Sequence, residues 1–498
     1  MQNSKSDVYA ALDLGSNSFH LLIASIAEEE LQVIDKHKEM VRLAAGFDKN
    51  NQLTESKQRE ALECLSRMGQ RIRHLPEDHV RILGTNALRM AANSSDFIRH
   101  ASDKLGHAVE IISGREEARL LYLGVAHSLA TSPDNRLVMD IGGGSTELIL
   151  GKNFDSILTE SLHMGCVQTT MRFFRDGKIT AERWQAAKTA AMLELQAVVR
   201  DYQDQAWQQA VGASGTFKAT AAVLRAQGWL NSGIDKAGLE RLKDKILACK
   251  NVEQLRLDGL DTGRAKVFPG GVVIIDALFE ALSLESVQVS DSALREGVVY
   301  DLAGRLNHND IRERSVASLI ERFNVDAIQA DRVVAVVNEL IASSENLQLT
   351  IAAREMVYWA ARIHEVGLTI AHSQFQKHGA YLIRHADLPG FSRQEQNLLG
   401  FLIMAQRRKY PPFERSQLNE QQCVSVVAPS IILRLALLLS RGRRRVDIRG
   451  IRLLWQENEL AVEFPTDWLA NNPLCLADLK QEQKYLSKAD IGFQFTFA

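Results

Sequence analysis

Two short segments constrain this chain more than any other feature: Asp13-Leu14-Gly15-Ser16-Asn17-Ser18 and Asp140-Ile141-Gly142-Gly143-Gly144-Ser145-Thr146-Glu147. Each follows an apolar run (8–12 and 137–139) and leads straight into another (19–26 and 148–150). That pattern predicts a β-hairpin with a glycine-bearing turn at its tip. The two copies also match in register, because Asp13, Gly15, Ser18 and Leu21 correspond to Asp140, Gly142, Ser145 and Leu148 at one constant offset. A repeated Asp-x-Gly hairpin predicts two similar half-domains that clamp a phosphorylated ligand between them. Glycine lets backbone approach a phosphate and adopt positive φ. Successive amides with Ser and Asn donors make an anion nest, and an aspartate beside phosphate calls for an intervening Mg²⁺.

The repeat extends beyond the hairpins. Residues 8–125 read as three strands, a helix, and then strands at 80–83 and 109–112, each followed by a helix. Residues 136–305 repeat that order. Helix 54–72 starts at Thr54 and places Leu62, Leu65, Met68 and Ile72 on one face. Gly84-Thr85 and Gly212-Ala213-Ser214-Gly215-Thr216 sit at nearly equivalent offsets, each between a strand and a helix. Alternation of this kind predicts mostly parallel sheets covered on both faces. From about residue 306 the texture becomes continuously helical up to 445. Residues 451–464 then read as a hairpin turning near Glu457 and Asn458. The expected domains are 1–125, 126–305, 306–445 and 446–498.

Bulk properties exclude several classes. A net charge of −2 leaves no global basic field to recruit nucleic acid, so an anionic ligand needs local cations. Five cysteines without a C-x-x-C pair argue against a structural zinc site and for a reducing, cytoplasmic compartment. The polar stretch 1–7 has no signal-peptide apolar region. The longest apolar run, 431–439, is interrupted by Arg434 and too short to span a bilayer.

Further chemistry gathers at strand ends. Ser113-Gly114-Arg115-Glu116-Glu117 opens a helix, so Glu116 reads as first-turn helix charge. Glu117, facing a cleft, can deprotonate a water. Arg89 lies just after strand 80–83, where it neutralises a phosphate or stays solvated. Gly212, Ser214, Gly215 and Thr216 form a strand-to-helix loop suited to phosphate or a nucleoside. Arg295, in Ala293-Leu294-Arg295-Glu296-Gly297, occupies the repeat position of the Glu117 segment.

The ordered set DLGSNSFH, SGREEARL, DIGGGSTEL, MGCV (164–167), GASGT and ALREG resembles the exopolyphosphatase and guanosine pentaphosphate phosphohydrolase family. The resemblance implies duplicated actin-like (ribonuclease H-like) α/β half-domains, then an all-α HD-like domain and a small C-terminal β-containing appendage. It also implies hydrolysis of a terminal phosphoryl group with Mg²⁺. Glu117 matches the catalytic base and Arg89 a phosphate contact. Asp13, Asp140 and Glu147 match metal- or water-binding carboxylates. Gly15, Ser16, Asn17 and Ser18, with Gly142, Gly143, Gly144 and Ser145, match the phosphate loops. Two substrates fit, guanosine pentaphosphate in the stringent response and inorganic polyphosphate, the former favoured. A ligand sensor without catalysis is the alternative of another class, and a kinase of this fold is a further rival. A homodimer is expected on resemblance alone. The HD-like domain is degenerate: His364-Glu365 stands where His-Asp would, Leu368 breaks an H-E-x-x-H pattern, and 405–408 offers no histidine. Arg407, Arg408, Lys409 and the basic stretch 441–445 read either as a solvated charged face or as the lining of an anion channel.

Overall fold

A computed structural model describes residues 7–27, 30–129, 134–306, 310–347, 349–412, 420–456 and 459–497. It divides into two compact units, Met1–Asp310 and Ile311–Ala498. Among the described residues no helix is long and apolar enough to cross a membrane.

The first unit carries the predicted duplication. Strands β1 (Val8–Leu14), β2 (Phe19–Ala27), β3 (Glu30–Glu39), β4 (Val80–Gly84) and β5 (Val109–Ile111) form a sheet in the order β3-β2-β1-β4-β5. Strands β6 (Arg136–Ile141), β7 (Thr146–Lys152), β8 (Asp155–Leu162), β9 (Gln209–Ala213), β10 (Ile234–Asp235) and β11 (Ser286–Val289) form the second, β10-β11-β9-β6-β7-β8. Removing β10 leaves the same order twice. The sheets are mixed rather than mostly parallel: β1, β4 and β5 run parallel, as do β6, β9 and β11, while each hairpin and its third strand pair antiparallel. The hairpins cause this, since adjacent strands joined by a tight turn must reverse direction.

Period-two alternation buries both faces of the central strands. Ala10, Leu12 and Leu14 join the core under helices Glu55–Ile72 and Ser94–Leu105. Tyr9 and Ala11 face Val298, Val299 and Leu302 of helix Leu294–Leu306. Leu65, Met68 and Ile72 are buried as the spacing requires, whereas Leu62 is half-buried and Ala61 and Cys64 take up the stripe. In the second sheet, Val138 and Ile149 pack on Leu121, Tyr122 and Val125 of helix Gly114–Ser128. That helix, begun in the first half, thus covers the second sheet, and helix Leu294–Leu306 covers the first.

The two exchanged helices cross at glycines. A Cβ on Gly297 would lie 1.7 Å from the Leu120 carbonyl oxygen, and one on Gly124 2.1 Å from that of Ala293. Beside the crossing sits a buried ionic network. Arg81 donates to Asp301 (2.8 Å) and Glu110 (3.2 Å). Arg119 donates to Glu116 (2.8 Å) and Asp301 (2.6 Å), and Arg305 to Asp301 (3.0 Å). Glu116 is therefore not a first-turn surface charge; it is 2% exposed and held by Arg119.

In the second unit, one continuous core runs from Val316 through the helices to Leu460, Val462 and Phe493. The helical stretch and the C-terminal hairpin therefore share an interior. The hairpin strands β13 (Arg452–Gln456) and β14 (Glu459–Phe464) pair as expected, in a sheet β12-β13-β14-β15. Its β12 (Ser344–Glu345) comes from among the helices, and β15 is Gly492–Phe497. The turn at Glu457 and Asn458 lies outside the described residues, as does 1–6.

Candidate active site

A cavity of about 440 Å³ opens between the two sheets of the first unit, at the tips of both hairpins. Register explains its floor. Asp13 pairs across its hairpin with His20, and Asp140 with Glu147, so one offset superposes both pairs and the repeat has diverged at its second position. Thr85 Oγ1 donates to the Leu14 carbonyl (3.5 Å) and Thr216 Oγ1 to that of Ile141 (3.1 Å), the same latch once in each half.

The glycines of the loops act through close approach, not positive φ. Gly15, Gly142, Gly143 and Gly144 do not occupy the left-handed region. Instead, a Cβ on Gly144 would meet Asn86 Oδ1 at 2.4 Å, and one on Gly165 the backbone of Gly143 and Gly144 at 2.5 Å. Two amides, Val167 and Gln168, donate to the Gly143 carbonyl (2.9 and 3.1 Å) and hold this loop down. Ser214 takes the unusual backbone, at φ 79°, a conformation costing on the order of 1–3 kcal/mol, and its hydroxyl is turned on Asp140.

Carboxylates line the cavity. Burial, with Glu117 and Asp140 nearby, pushes Asp13 up to about 7 against the opposing pull of Arg295. Burial and Glu117 push Asp140 up to about 7, offset by Ser214 and Lys218. Glu147 is raised well above the carboxylate range by the same causes. It is fully buried, accepts from Ser161 Oγ (2.8 Å) and lies behind the cavity wall. Cations line the same cavity: Lys38, Lys218, Arg264 and Arg295, with Lys36 paired to Glu296 (3.3 Å). Their crowding shows at Lys38, whose pKa is lowered by burial and then by Arg264. His20, bonded to Ser18 Oγ (2.6 Å), is pushed down to about 3 by burial and Arg295, so it is neutral.

The cavity brings together Asp13, Glu117, Asp140, residues 15–18, 142–145, Ser214, Gly215 and Arg295. Gly212 and Thr216 sit beneath it, shaping the loop. Arg89 is not on its wall. Its Nη1 donates to Glu117 Oε2 (2.7 Å) and to the Ile112 carbonyl (3.1 Å), and among the described residues Glu117 Oε1 has no side-chain partner. Arg89 is thus positioned to aim Glu117. Arg89→Ala is expected to lower kcat by about 10-fold or more with little change in KM, read by steady-state phosphate release. A raised KM at constant kcat would return Arg89 to ligand binding.

His20, Lys38, Asn86, Lys218 and Arg264 escaped the sequence reading. The hairpin offset marks His20 as the counterpart of Glu147, and Lys218 follows GASGT by one residue pair. Arg264 stands in a four-residue helix, Thr262–Ala265, that carries no motif.

A family described as the Ppx/GppA phosphatase family matches residues 22–306, and Ppx/GppA phosphatase, domain III, matches 311–483. The chain belongs to the Ppx/GppA phosphatase family. Two relatives are named guanosine-5′-triphosphate,3′-diphosphate pyrophosphatase. That of Photobacterium profundum is 39% identical over 97% of this chain and 96% of its own. That of Vibrio cholerae is 37% identical over 99% and 98%. The Aquifex aeolicus Ppx/GppA structure is 28% identical over 61% of this chain and 99% of its own, with a TM-score of 0.52. An exopolyphosphatase structure from Cytophaga hutchinsonii, 24% identical over 60% and 98% with a TM-score of 0.55, shares the fold. As a Ppx/GppA phosphatase the protein has the duplicated actin-like fold and is a phosphoanhydride hydrolase.

Proposed function

We propose that the cleft removes the terminal 5′-phosphoryl group of guanosine pentaphosphate, giving guanosine tetraphosphate and phosphate, with Mg²⁺ bound. The observation that carries this reading is the 37–39% identity, over nearly the whole chain, to relatives named for that substrate. The cleft suits it chemically, because five lysine and arginine side chains, two glycine-bearing loops and three carboxylates line one cavity.

The donor set fits a hard divalent cation. Among the described residues Asp13 Oδ1, Asp140 Oδ1 and Glu147 Oε2 are buried without a hydrogen-bond partner, and carboxylates are oxygen ligands suited to Mg²⁺. Among the described residues no three such side chains converge closely enough to hold an ion by themselves. Mg²⁺ is normally held by one or two carboxylates with water and phosphate oxygens making up the rest. Asp13 and Asp140, with Glu147 behind, would hold it, and when bound it neutralises charge on the phosphate oxygens.

The residues then divide the work. The loops 15–18 and 142–145 position the terminal phosphate, and Arg264, Arg295 and Lys218 offset its charge, which is most of what phosphoryl transfer requires. Glu117 Oε1 accepts a proton from the attacking water. The water oxygen bonds to the terminal phosphorus as the bridging oxygen–phosphorus bond breaks, and guanosine tetraphosphate departs with the bridging oxygen.

Asp13 and Asp140 give the site a pH signature. In the folded protein they keep their protons up to about 7, whereas an unfolded aspartate loses its proton near 3.9. The folded state therefore binds more protons between those values, and this contribution to stability falls as pH rises from about 4 to 7. Protons compete with the cation for the same oxygens. The melting-temperature increase caused by Mg²⁺ is expected to grow from pH 6 to pH 8, as read by thermal melting in matched buffers. An increase independent of pH would remove both aspartates from cation binding.

The function itself is tested by comparing kcat/KM for phosphate release from guanosine pentaphosphate and from long-chain polyphosphate. A preference of tenfold or more for the nucleotide supports the proposal, and the reverse preference makes the protein an exopolyphosphatase. Binding without release makes it a sensor. We also place the protein in the cytoplasm as a homodimer. The free thiols of Cys64, Cys166, Cys249 and Cys475 suit a reducing compartment, and light scattering reads the dimer.

A further inference from the structure

We infer that an arginine-lined cavity within the second unit is a separate binding site for a compact polyphosphorylated nucleotide. It goes beyond the catalytic reading and does not depend on it. The cavity measures about 490 Å³, within the range of small-ligand sites. Its wall includes His364 and Glu365, the pair that stands in place of His-Asp in the HD resemblance. His364 is buried, its Nδ1 hydrogen-bonded to the Ala361 carbonyl (2.8 Å). Glu365 is ion-paired with Arg443. Among the described residues no cluster suited to a metal ion is present.

Charge bookkeeping shows what the cavity lacks. Five arginines line it, and its three carboxylates are already committed: Glu365 to Arg443, Asp478 to Arg441 and Glu482 to Arg434. Arg407 and Arg408 are left with no carboxylate partner among the described residues. Arg407 is partly buried and lies over the Phe375 ring, 5.0 Å from its centroid. Burial and the neighbouring Arg408 and Arg441 act against the charge of Arg407, a cost that an anion joining these guanidinium groups would offset.

Backbone strain points to the same place. Arg408 and Arg443 both adopt the left-handed conformation, at φ 59° and 48°, which non-glycine residues enter only when the surroundings hold them there. At Arg408 the holder is visible: the buried Arg434 donates through Nη2 to the Arg408 carbonyl (2.7 Å). Arg407 and Arg408, the two guanidinium groups of the wall without a carboxylate partner among the described residues, suit a ligand with several phosphate oxygens, since guanidinium matches phosphate in bidentate geometry.

The rest of the wall argues for a nucleotide over a bare polyanion. Phe375, Leu368, Leu438 and Tyr485 supply apolar and aromatic surface that inorganic polyphosphate cannot use. Gln406 has its amide nitrogen fixed on the His364 carbonyl (3.0 Å), which orients its oxygen as an acceptor for a base N–H. Lys409, Arg444 and Arg445 lie off the cavity wall and belong to the solvated face.

The test is calorimetric titration of the full chain with guanosine 5′-(β,γ-imido)triphosphate, and separately with tripolyphosphate. A binding event is expected that persists in the cleft variant Lys218→Ala/Arg264→Ala but weakens at least tenfold in the double variant Arg407→Ala/Arg408→Ala. That variant is expected to keep its kcat/KM for phosphate release and its melting temperature. Arg408→Glu alone, at an exposed position, is expected to weaken the same event, and Arg445→Glu to leave it unchanged. No binding in the wild type, or binding undiminished in both the double variant and Arg408→Glu, overturns the site. Tripolyphosphate binding as tightly as the nucleotide overturns the nucleotide assignment; nucleotide binding at least tenfold tighter supports it.

Discussion

Glu117→Gln is expected to lower kcat for phosphate release by about 10² to 10⁴-fold, with KM changed less than about threefold. The amide preserves the shape of the side chain, and its oxygen still accepts from Arg89 Nη1, 2.7 Å from Glu117 Oε2 in the native protein. What is lost is the ability to take a proton from water. Because Glu117 also raises the pKa of Asp13 and Asp140, its replacement should make both easier to ionise, and so should not weaken cation binding. Steady-state kinetics with saturating Mg²⁺ reads both parameters. Turnover within threefold of the native value would take Glu117 out of the reaction, and a large rise in KM alone would make it a binding residue.

Asp301→Ala is expected to cost about 3–5 kcal/mol of stability in the first unit, the range for breaking a buried ion pair from one side. Asp301 accepts from Arg81, Arg119 and Arg305, and those cations hold its carboxyl far below the ordinary range despite its burial. Its removal takes a shared carboxylate from three guanidinium groups, of which Arg81 is only 2% exposed. The network lies where helices Gly114–Ser128 and Leu294–Leu306 cross, so the loss should be felt by both halves together. Hydrogen exchange resolved by peptide is the measurement, because the chain has two compact units and one melting curve need not report on either alone. Faster exchange in both helices and in β4 is the expected result. A change confined to the helix carrying residue 301, or a loss below about 1 kcal/mol, would contradict the account.

Which parts of this architecture could be read in the residue string follows from how far apart the interacting groups lie. The hairpins were legible because an Asp-x-Gly turn between apolar runs is a local pattern, and its repetition at one offset tied residue 13 to residue 140. Asp13, Glu117 and Asp140 could then be placed in one cleft before any coordinates. Glu116 was not legible, because its burial depends on Arg81 and on Asp301, the latter 185 positions away by subtraction of residue numbers. The pairing of Arg89 with Glu117 is not legible, since nothing local says that a guanidinium 28 residues upstream will meet that carboxylate. The mixed sheets follow from the hairpins themselves, and a stricter reading of the tight turns would have found them. The two-residue β10 is too short to leave a periodic signal, and β12 belongs to a sheet whose other strands lie more than a hundred residues later.

The same reasoning explains the loop glycines. Sequence suggests conformational freedom, whereas the structure assigns them to contact: a Cβ on Gly165 would strike the backbone of the 142–145 loop at 2.5 Å, and one on Gly144 would displace the Asn86 side chain. The residue that does take a left-handed backbone is Ser214, which composition alone would not single out.

The most direct test of the central claim is hydrolysis of guanosine pentaphosphate in ¹⁸O-labelled water, with both products analysed by mass spectrometry. Attack by a water that Glu117 deprotonates, at the terminal 5′-phosphorus, predicts one labelled oxygen in released orthophosphate and none in guanosine tetraphosphate. Label in the nucleotide product, or release of pyrophosphate in place of orthophosphate, would contradict it.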